Sequence, residues 1–191
     1  MDEAGRTAVV DEVVALARRR PARLGDGRLL CVDGPAGAGK STLARAVVTS
    51  VLEAGGTSTL VCVDDLLTGW AGSLSGAVAA LVHDVLAPLA SGRPATYHRY
   101  DWVAGELAEW VPVPATDLLV VEGVGSGSLA PAAYASALVW VEAPHDLRHQ
   151  RGVARDGAAF APHWQRWAAK ESAHFSRERT RERADVVVGT G

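Results

Sequence analysis

Three stretches decide the fold: Arg28–Asp33 (RLLCVD), Gly34–Ser41 (GPAGAGKS) and, overlapping its end, Lys40–Glu53 (KSTLARAVVTSVLE). The first is a short apolar run of strand type. The last carries apolar residues at helical spacing. The middle one fits G-x-x-x-x-G-K-[ST] without a mismatch, between a predicted strand and a predicted helix, the context this motif requires. Glycines let successive backbone N–H groups turn inward and line a concave anion site. The helix that starts beside them adds its positive end. Gly34, Pro35, Ala36, Gly37, Ala38 and Gly39 therefore form a candidate phosphate cradle. Lys40 can reach the β and γ phosphates of a nucleotide, the Ser41 hydroxyl can bind Mg²⁺, and Thr42 supports the start of the helix.

The rest of the composition narrows the partners. The chain has 191 residues, with 48% hydrophobic and 21% charged, enough to bury a core. Its net charge is −3, against the basic surplus of a general nucleic-acid binder. No apolar run approaches ~18 residues, so no membrane span is expected. The acidic start MDEAGRTAVVDEVV lacks the pattern of a secretory signal, and a cytoplasmic protein is expected. Cys31 and Cys62 sit in apolar runs and read as reduced, buried thiols. There are 17 Arg, two Lys (Lys40 and Lys170) and no Asn. Without Asn, neither the guanine-reading Asn-Lys-x-Asp motif nor the catalytic-loop Asn of protein kinases can occur.

Outward from the loop, strand and helix patterns alternate. Residues 7–20 read as a helix with Val10, Val13, Val14 and Ala17 on one side, its closing arginines read as a solvated end, and Pro21 stops it. Thr59–Val63, Leu118–Val121, Ala137–Val141 and Val186–Val188 read as strands, and 73–90, 146–155 and 163–182 as helices. Residues 91–116 read as a polar, aromatic-rich segment. Alternation of this kind predicts an α/β fold, a parallel sheet with helices on both faces. Ligands gather at the carboxyl ends of such strands, where the chemically interesting residues fall.

Phosphoryl transfer needs charge neutralisation and a base for the nucleophile. Asp64 and Asp65 follow the second strand, where a carboxylate can take a proton from an attacking hydroxyl; Asp64 is the predicted base. Glu122 ends the third strand in VVEG and is a predicted Mg²⁺ or substrate contact, catalytic with Lys40 and Asp64. Ser41, Asp64 and Glu122 form the predicted metal set. Asp33 reads as a structural partner for nearby backbone N–H groups.

VDGPAGAGKST, then VDD, YHRYDW, VVEG and an Arg-rich stretch, in that order, resemble the uridine kinase and nicotinamide riboside kinase branch of P-loop kinases. The resemblance covers residues 28–191, leaving 1–27 as an extra N-terminal helix. It implies a P-loop NTPase fold with a five-stranded parallel sheet, ATP and Mg²⁺ as cofactors, and Asp64 as base. It also implies that Asp101, in a Tyr-Asp pair, binds ribose hydroxyls. Leu66-Leu67 stands where those kinases often carry an aromatic pair.

Residues 91–116 are the expected substrate-binding segment. Tyr97, Arg99, Asp101 and Trp102, with Asp64, are the predicted acceptor contacts; Tyr100 and Trp70 are further aromatic surfaces. Arg148, Arg151 and Arg155 share a helix face. In the resembling kinases that region, here 144–162, is a lid whose arginines reach ATP, which implies donor contacts for Arg151 and Arg155 and a catalytic role for Arg151. Trp164, Trp167, Glu171 and His174 recur at helical intervals and read as packing; the resemblance also implies that Gly189-Thr190 lies beside adenine. The expected activity is ATP-dependent phosphorylation of a small-molecule hydroxyl, most simply a nucleoside 5′-hydroxyl. The alternatives are a nucleoside monophosphate or other metabolite kinase, with Arg99 as a second phosphate site, or a non-catalytic nucleotide-binding regulator. A homo-oligomer is left open; nucleic acid and membrane are not expected partners.

Overall fold

The computed structural model describes residues 3–156 and 163–191, with only the backbone of Arg155 and Asp156. Helix α1 (Glu3–Arg19) leads into strand β1 (Arg28–Asp33), which the phosphate loop joins to α2 (Lys40–Glu53). Strand β2 (Ser58–Cys62) ends in a 3₁₀ turn, Val63–Leu66. A helical run follows: α3 (Leu74–Ala80), a π-helical segment Leu81–Leu86, and α4 (Ala87–Ala90). Strands β3 (Ala95–Asp101) and β4 (Glu106–Val113) come next, then β5 (Leu118–Glu122), α5 (Leu129–Ala132) and β6 (Ala137–Glu142). The chain closes with α6 (His145–Asp156), α7 (Trp164–Glu178), α8 (Thr180–Arg183) and β7 (Val186–Gly189).

Five strands pair in parallel in the order β2-β5-β1-β6-β7. This is the expected α/β P-loop-like sheet, flanked by helices on both faces. The central strands are apolar throughout, as burial on both faces demands, and their side chains divide by the two-residue period. Leu29, Cys31, Leu119, Val121 and Leu138 enter one core with the 74–90 helical run and Trp167. Leu30, Val32, Val120, Val139 and Val141 enter the other with α1 and α2. Helix α1 supplies the predicted Val10, Val13, Val14 and Ala17 to that second core. Arg18 and Arg19 are exposed, while Arg20 makes a paired contact with Asp185, which also accepts from Leu138 N–H.

Four sequence expectations need correction. The helix over 73–90 is interrupted by its π-helical turn, so Leu86 joins Leu81 and Val85 inside while Val82 is only half-buried. The helix over 163–182 breaks at Arg179, whose left-handed backbone (φ 51°) separates α7 from α8. Val63 leaves the strand for the 3₁₀ turn. The polar segment 91–116 contains an antiparallel hairpin, β3 with β4, bulged between His98 and Tyr100. Most of β4 is exposed, so it lacks the in–out alternation by which a strand is read. Among the described residues no helix is long and apolar enough to cross a membrane.

If α1 belongs to the core, Val13→Asp, which buries an unpaired charge, will lower the unfolding free energy by about 3 kcal/mol or more. Glu12→Gln on the exposed side will change it by less than about 0.5 kcal/mol. Urea denaturation followed by tryptophan fluorescence measures both; equal, small effects would mean that α1 is not docked.

Candidate active site

The sheet order places β1 in the centre with β5 and β6 beside it, the switch point where α/β sheets open a crevice. The phosphate loop grows from the end of β1. Asp33, fully buried, fixes it there: Oδ1 accepts N–H bonds from Gly34 (2.7 Å) and Gly125 (3.1 Å), and Oδ2 accepts from Gly127 (2.9 Å). Burial pushes the Asp33 carboxyl up to about 6, opposed by those three N–H groups and the Lys40 charge. Two glycines are dictated by space. A Cβ at Gly34 (φ 142°) would lie 2.0 Å from Val141 O, and one at Gly37 (φ 76°) 2.3 Å from Arg148 O. Gly39, left-handed, begins α2 without a side-chain cap, so the first-turn amides are not taken by a capping side chain. Lys40 lies along the loop, its Nζ donating to Pro35 O at 3.1 Å.

At the loop's end Ser41 Oγ donates to Glu122 Oε1 at 2.9 Å. The same oxygen accepts from Cys62 Sγ at 3.2 Å. Both cysteines are free thiols; Cys31 is buried as expected, whereas Cys62 is half-buried and part of the site. Burial, with Asp64, Glu122 and Asp65 close by, pushes the Cys62 thiol far up, so it stays protonated and donates. A hydroxyl and a carboxylate side by side are hard oxygen donors of the kind Mg²⁺ takes, usually alongside phosphate oxygens. Among the described residues no group of three His, Cys, Asp or Glu that could hold a metal ion occurs.

Asp64 and Asp65 sit in the 3₁₀ turn after β2, both half-buried. Asp65 accepts from Tyr97 Oη at 3.2 Å, and burial pushes its carboxyl up. Lys40, Ser41, Asp64, Asp65 and Glu122 line one cleft of about 530 Å³ with Ala36 and Gly37. Its apolar wall consists of Leu67, Trp70, Trp102, Val103, Val124 and Trp167. Trp70 meets Trp102 edge-on at 5.0 Å and Trp167 at 6.2 Å. Trp102 Nε1 donates to Asp64 O at 3.1 Å, which ties the hairpin to the turn.

The remaining predicted acceptor residues are placed otherwise. Tyr97 is buried in the core and meets the site through Asp65. Arg99 binds Glu109 with two bonds (2.8 and 3.0 Å) and Asp101 at 3.4 Å. Asp101 Oδ1 accepts from Val103 and Ala104 N–H and so forms the hairpin turn; those bonds hold its carboxyl below the usual range. None of the three lines the cleft, while Trp102 does.

On the lid side, Arg151 donates to Thr190 Oγ1 (2.9 Å) and Thr190 O (2.7 Å), and Thr190 Oγ1 donates to Ala38 O (2.7 Å). Gly37, Gly39, Lys40, Ser41, Thr42, Arg45 and Arg151 border a second recess of about 270 Å³. Arg155's side chain and residues 157–162 of the expected lid lie outside the described residues. Arg148 and Glu171 pair at 3.2 Å and together hold Ala36: Arg148 donates to its O (3.2 Å), and Glu171 accepts its N–H (2.9 Å). Helical spacing reads Glu171 as packing and Arg148 as one of three arginines on a helix face, and neither reading contains this grip on the loop. His174, close by in sequence, is held by Ser128 at 2.9 Å.

No protein-family model and no curated protein matches the chain. Solved structures match its fold. A chain described as a possible uridine kinase from Bacillus stearothermophilus superposes with TM-score 0.71 over 98% of this chain and 100% of that one, at 20% identity. A chain described as a fructose transport system kinase from Silicibacter sp. TM1040, a provisional assignment, gives TM-score 0.62 over 95% and 98%, at 19% identity. These likenesses show the fold alone: an α/β P-loop-like architecture with a five-stranded parallel sheet flanked by helices and an extra N-terminal helix.

Asp33 carries a pH signature. Its folded-state pKa lies above that of an unfolded Asp, so its contribution to stability is complete below about pH 4 and is lost as pH rises through about 6. Asp33→Asn will remove on the order of 2 kcal/mol of that pH dependence. Urea midpoints between pH 4.5 and 7.5 test this; parallel curves for both proteins would refute it.

Proposed function

We propose that the protein transfers the γ-phosphoryl group of ATP to a hydroxyl of a small metabolite, most specifically a nucleoside 5′-hydroxyl. One observation carries this reading: the phosphate loop, the Ser41–Glu122 pair and Asp64 all open onto a single cleft with an aromatic wall. The loop amides and Lys40 bind the phosphate tail, and Lys40 exchanges its bond with Pro35 O for phosphate oxygens. Ser41, Glu122 and Asp64, which line the same cleft, would hold Mg²⁺, and the ion would supply charge neutralisation at the phosphates. Asp64 orients the acceptor hydroxyl and takes its proton as the oxygen bonds to phosphorus and the bridging oxygen leaves with ADP. Leu67, Trp70 and Trp102 offer a flat apolar seat for the acceptor's ring. Arg151, bonded to Thr190, which in turn donates to Ala38 O of the loop, is the proposed guanidinium contact to the donor phosphates. Arg155 belongs to the same proposed lid, and lid closure would exclude water.

A monophosphate acceptor needs a second phosphate site, and the candidate cation Arg99 is engaged by Glu109 and Asp101. That favours an unphosphorylated acceptor. The proposed division of the chain is a catalytic unit over 28–191, containing the acceptor segment 91–116 and the lid 144–162, preceded by the helical extension 1–27.

An ADP-release assay over a panel of nucleosides, their monophosphates and other hydroxyl metabolites tests the activity. Asp64→Asn should keep Mg-ATP affinity within about threefold and lose roughly 10²–10⁴ in kcat. Near-normal turnover of the variant would refute Asp64 as base, and ATP turnover with no panel member would refute the acceptor class.

A further inference from the structure

We infer that Glu171 and Arg148 are positioning residues for phosphate binding: they lock the Ala36 peptide, so that the loop holds its shape before a nucleotide arrives and the Ala36 N–H braces the cradle instead of serving it as a donor. This rests on the proposed kinase reading and adds two residues that serve the same site. Neither lines the cleft; both border a separate recess beside Pro35. Glu171 comes from α7 and Arg148 from α6. Glu171 Oε2 accepts the Ala36 N–H at 2.9 Å. Arg148 Nη1 donates to Ala36 O and to Glu171 Oε1, both at 3.2 Å. One peptide of the loop is thus held at its N–H and at its neighbouring C=O by a single ion pair. The backbone of Arg148 adds a steric stop, since a Cβ at Gly37 would lie 2.3 Å from its O.

A carboxylate against an anion-binding loop repels phosphate, so its presence there needs a reason. Glu171 is buried, and a buried carboxylate persists only where charges and donors replace water. Burial pushes its carboxyl up, opposed by the Ala36 N–H and the Lys40 and Arg148 charges. Arg148 therefore has two tasks: it fixes Ala36 O, and it cancels a charge that would otherwise face the incoming phosphates. The other ties of the loop are interrupted by catalysis. Lys40 Nζ leaves Pro35 O for phosphate in the proposed reaction, and Arg151, now on Thr190, is the proposed donor contact. The Ala36 grip uses neither of them, so it persists when the site is loaded. Arg148 and Arg151 share a helix face but divide the work, one holding the loop and the other meeting the ligand. A loop ordered in advance adds no ordering cost to binding.

Amide hydrogen exchange followed by NMR on the unmodified protein tests this without any substitution. The Ala36 amide should exchange more slowly than that of Gly39 before nucleotide is added, and Mg-ATP should slow Gly37 and Gly39 while leaving Ala36 as it was. Ala36 exchanging as fast as Gly39, or slowing only with Mg-ATP, would overturn the inference. Calorimetry with Mg-ATP reads the consequence. Glu171→Met and Arg148→Met should each bind roughly tenfold or more weakly. Glu171→Gln, which still offers an oxygen to the Ala36 N–H, should recover about threefold or more of the Glu171→Met loss. His174→Gln, equally buried on α7 but bonded to Ser128, should stay within about twofold of the unmodified protein. Unchanged affinity in Glu171→Met, no recovery in Glu171→Gln, or an equal loss in His174→Gln would reduce Glu171 to helix packing and overturn the assignment. Slow Ala36 exchange with no response of the loop to Mg-ATP leaves the grip standing and removes the kinase reading. Mg-ATP binding with fast Ala36 exchange does the reverse.

Discussion

The buried carboxylate of Asp33 is the constraint on which the site depends. It ends the central strand and gathers N–H groups from the phosphate loop and from the loop after β5. Removing a charge from water is costly unless donors replace the water. The three N–H groups replace part of it, and they belong to the two segments that must lie side by side. Gly34 starts the cradle, and Glu122, just before the second loop, meets Ser41, just after the first. A single strand-end acid thus brings the phosphate loop and the proposed metal-binding carboxylate into register.

The loop is gripped from further points. Arg148 and Glu171 take both polar groups of Ala36, and Thr190 takes Ala38 O while receiving Arg151. Helices α6 and α7 and the end of β7 therefore report on the loop's shape. The backbone of Arg148 also lies so close to Gly37 that no side chain fits between them.

The sheet was legible because its central strands, β1, β5 and β6, are buried on both faces and read as unbroken apolar runs. The cradle was legible because Gly34, Gly39, Lys40 and Ser41 occur at fixed spacing in one segment. What the sequence hid has a physical reason in each case. The hairpin's β4 is largely exposed and shows no alternation. Tyr97, Arg99 and Asp101 are residues that bind ligands or build hairpins equally well, and the structure uses their side chains within the hairpin or against the turn beside it. Cys62 looked like core until the β2–β5 pairing set it opposite Glu122. Glu171 acts on Ala36, 135 residues away, a contact without any local pattern.

The central claim is that residues 34–42 hold the phosphate tail of ATP. Isothermal calorimetry of Mg-ATP against the unmodified protein and Lys40→Ala tests it most directly. The account predicts one site per chain in the unmodified protein and binding at least tenfold weaker in the variant. No heat of binding from the unmodified protein, or the same affinity in both, would contradict it.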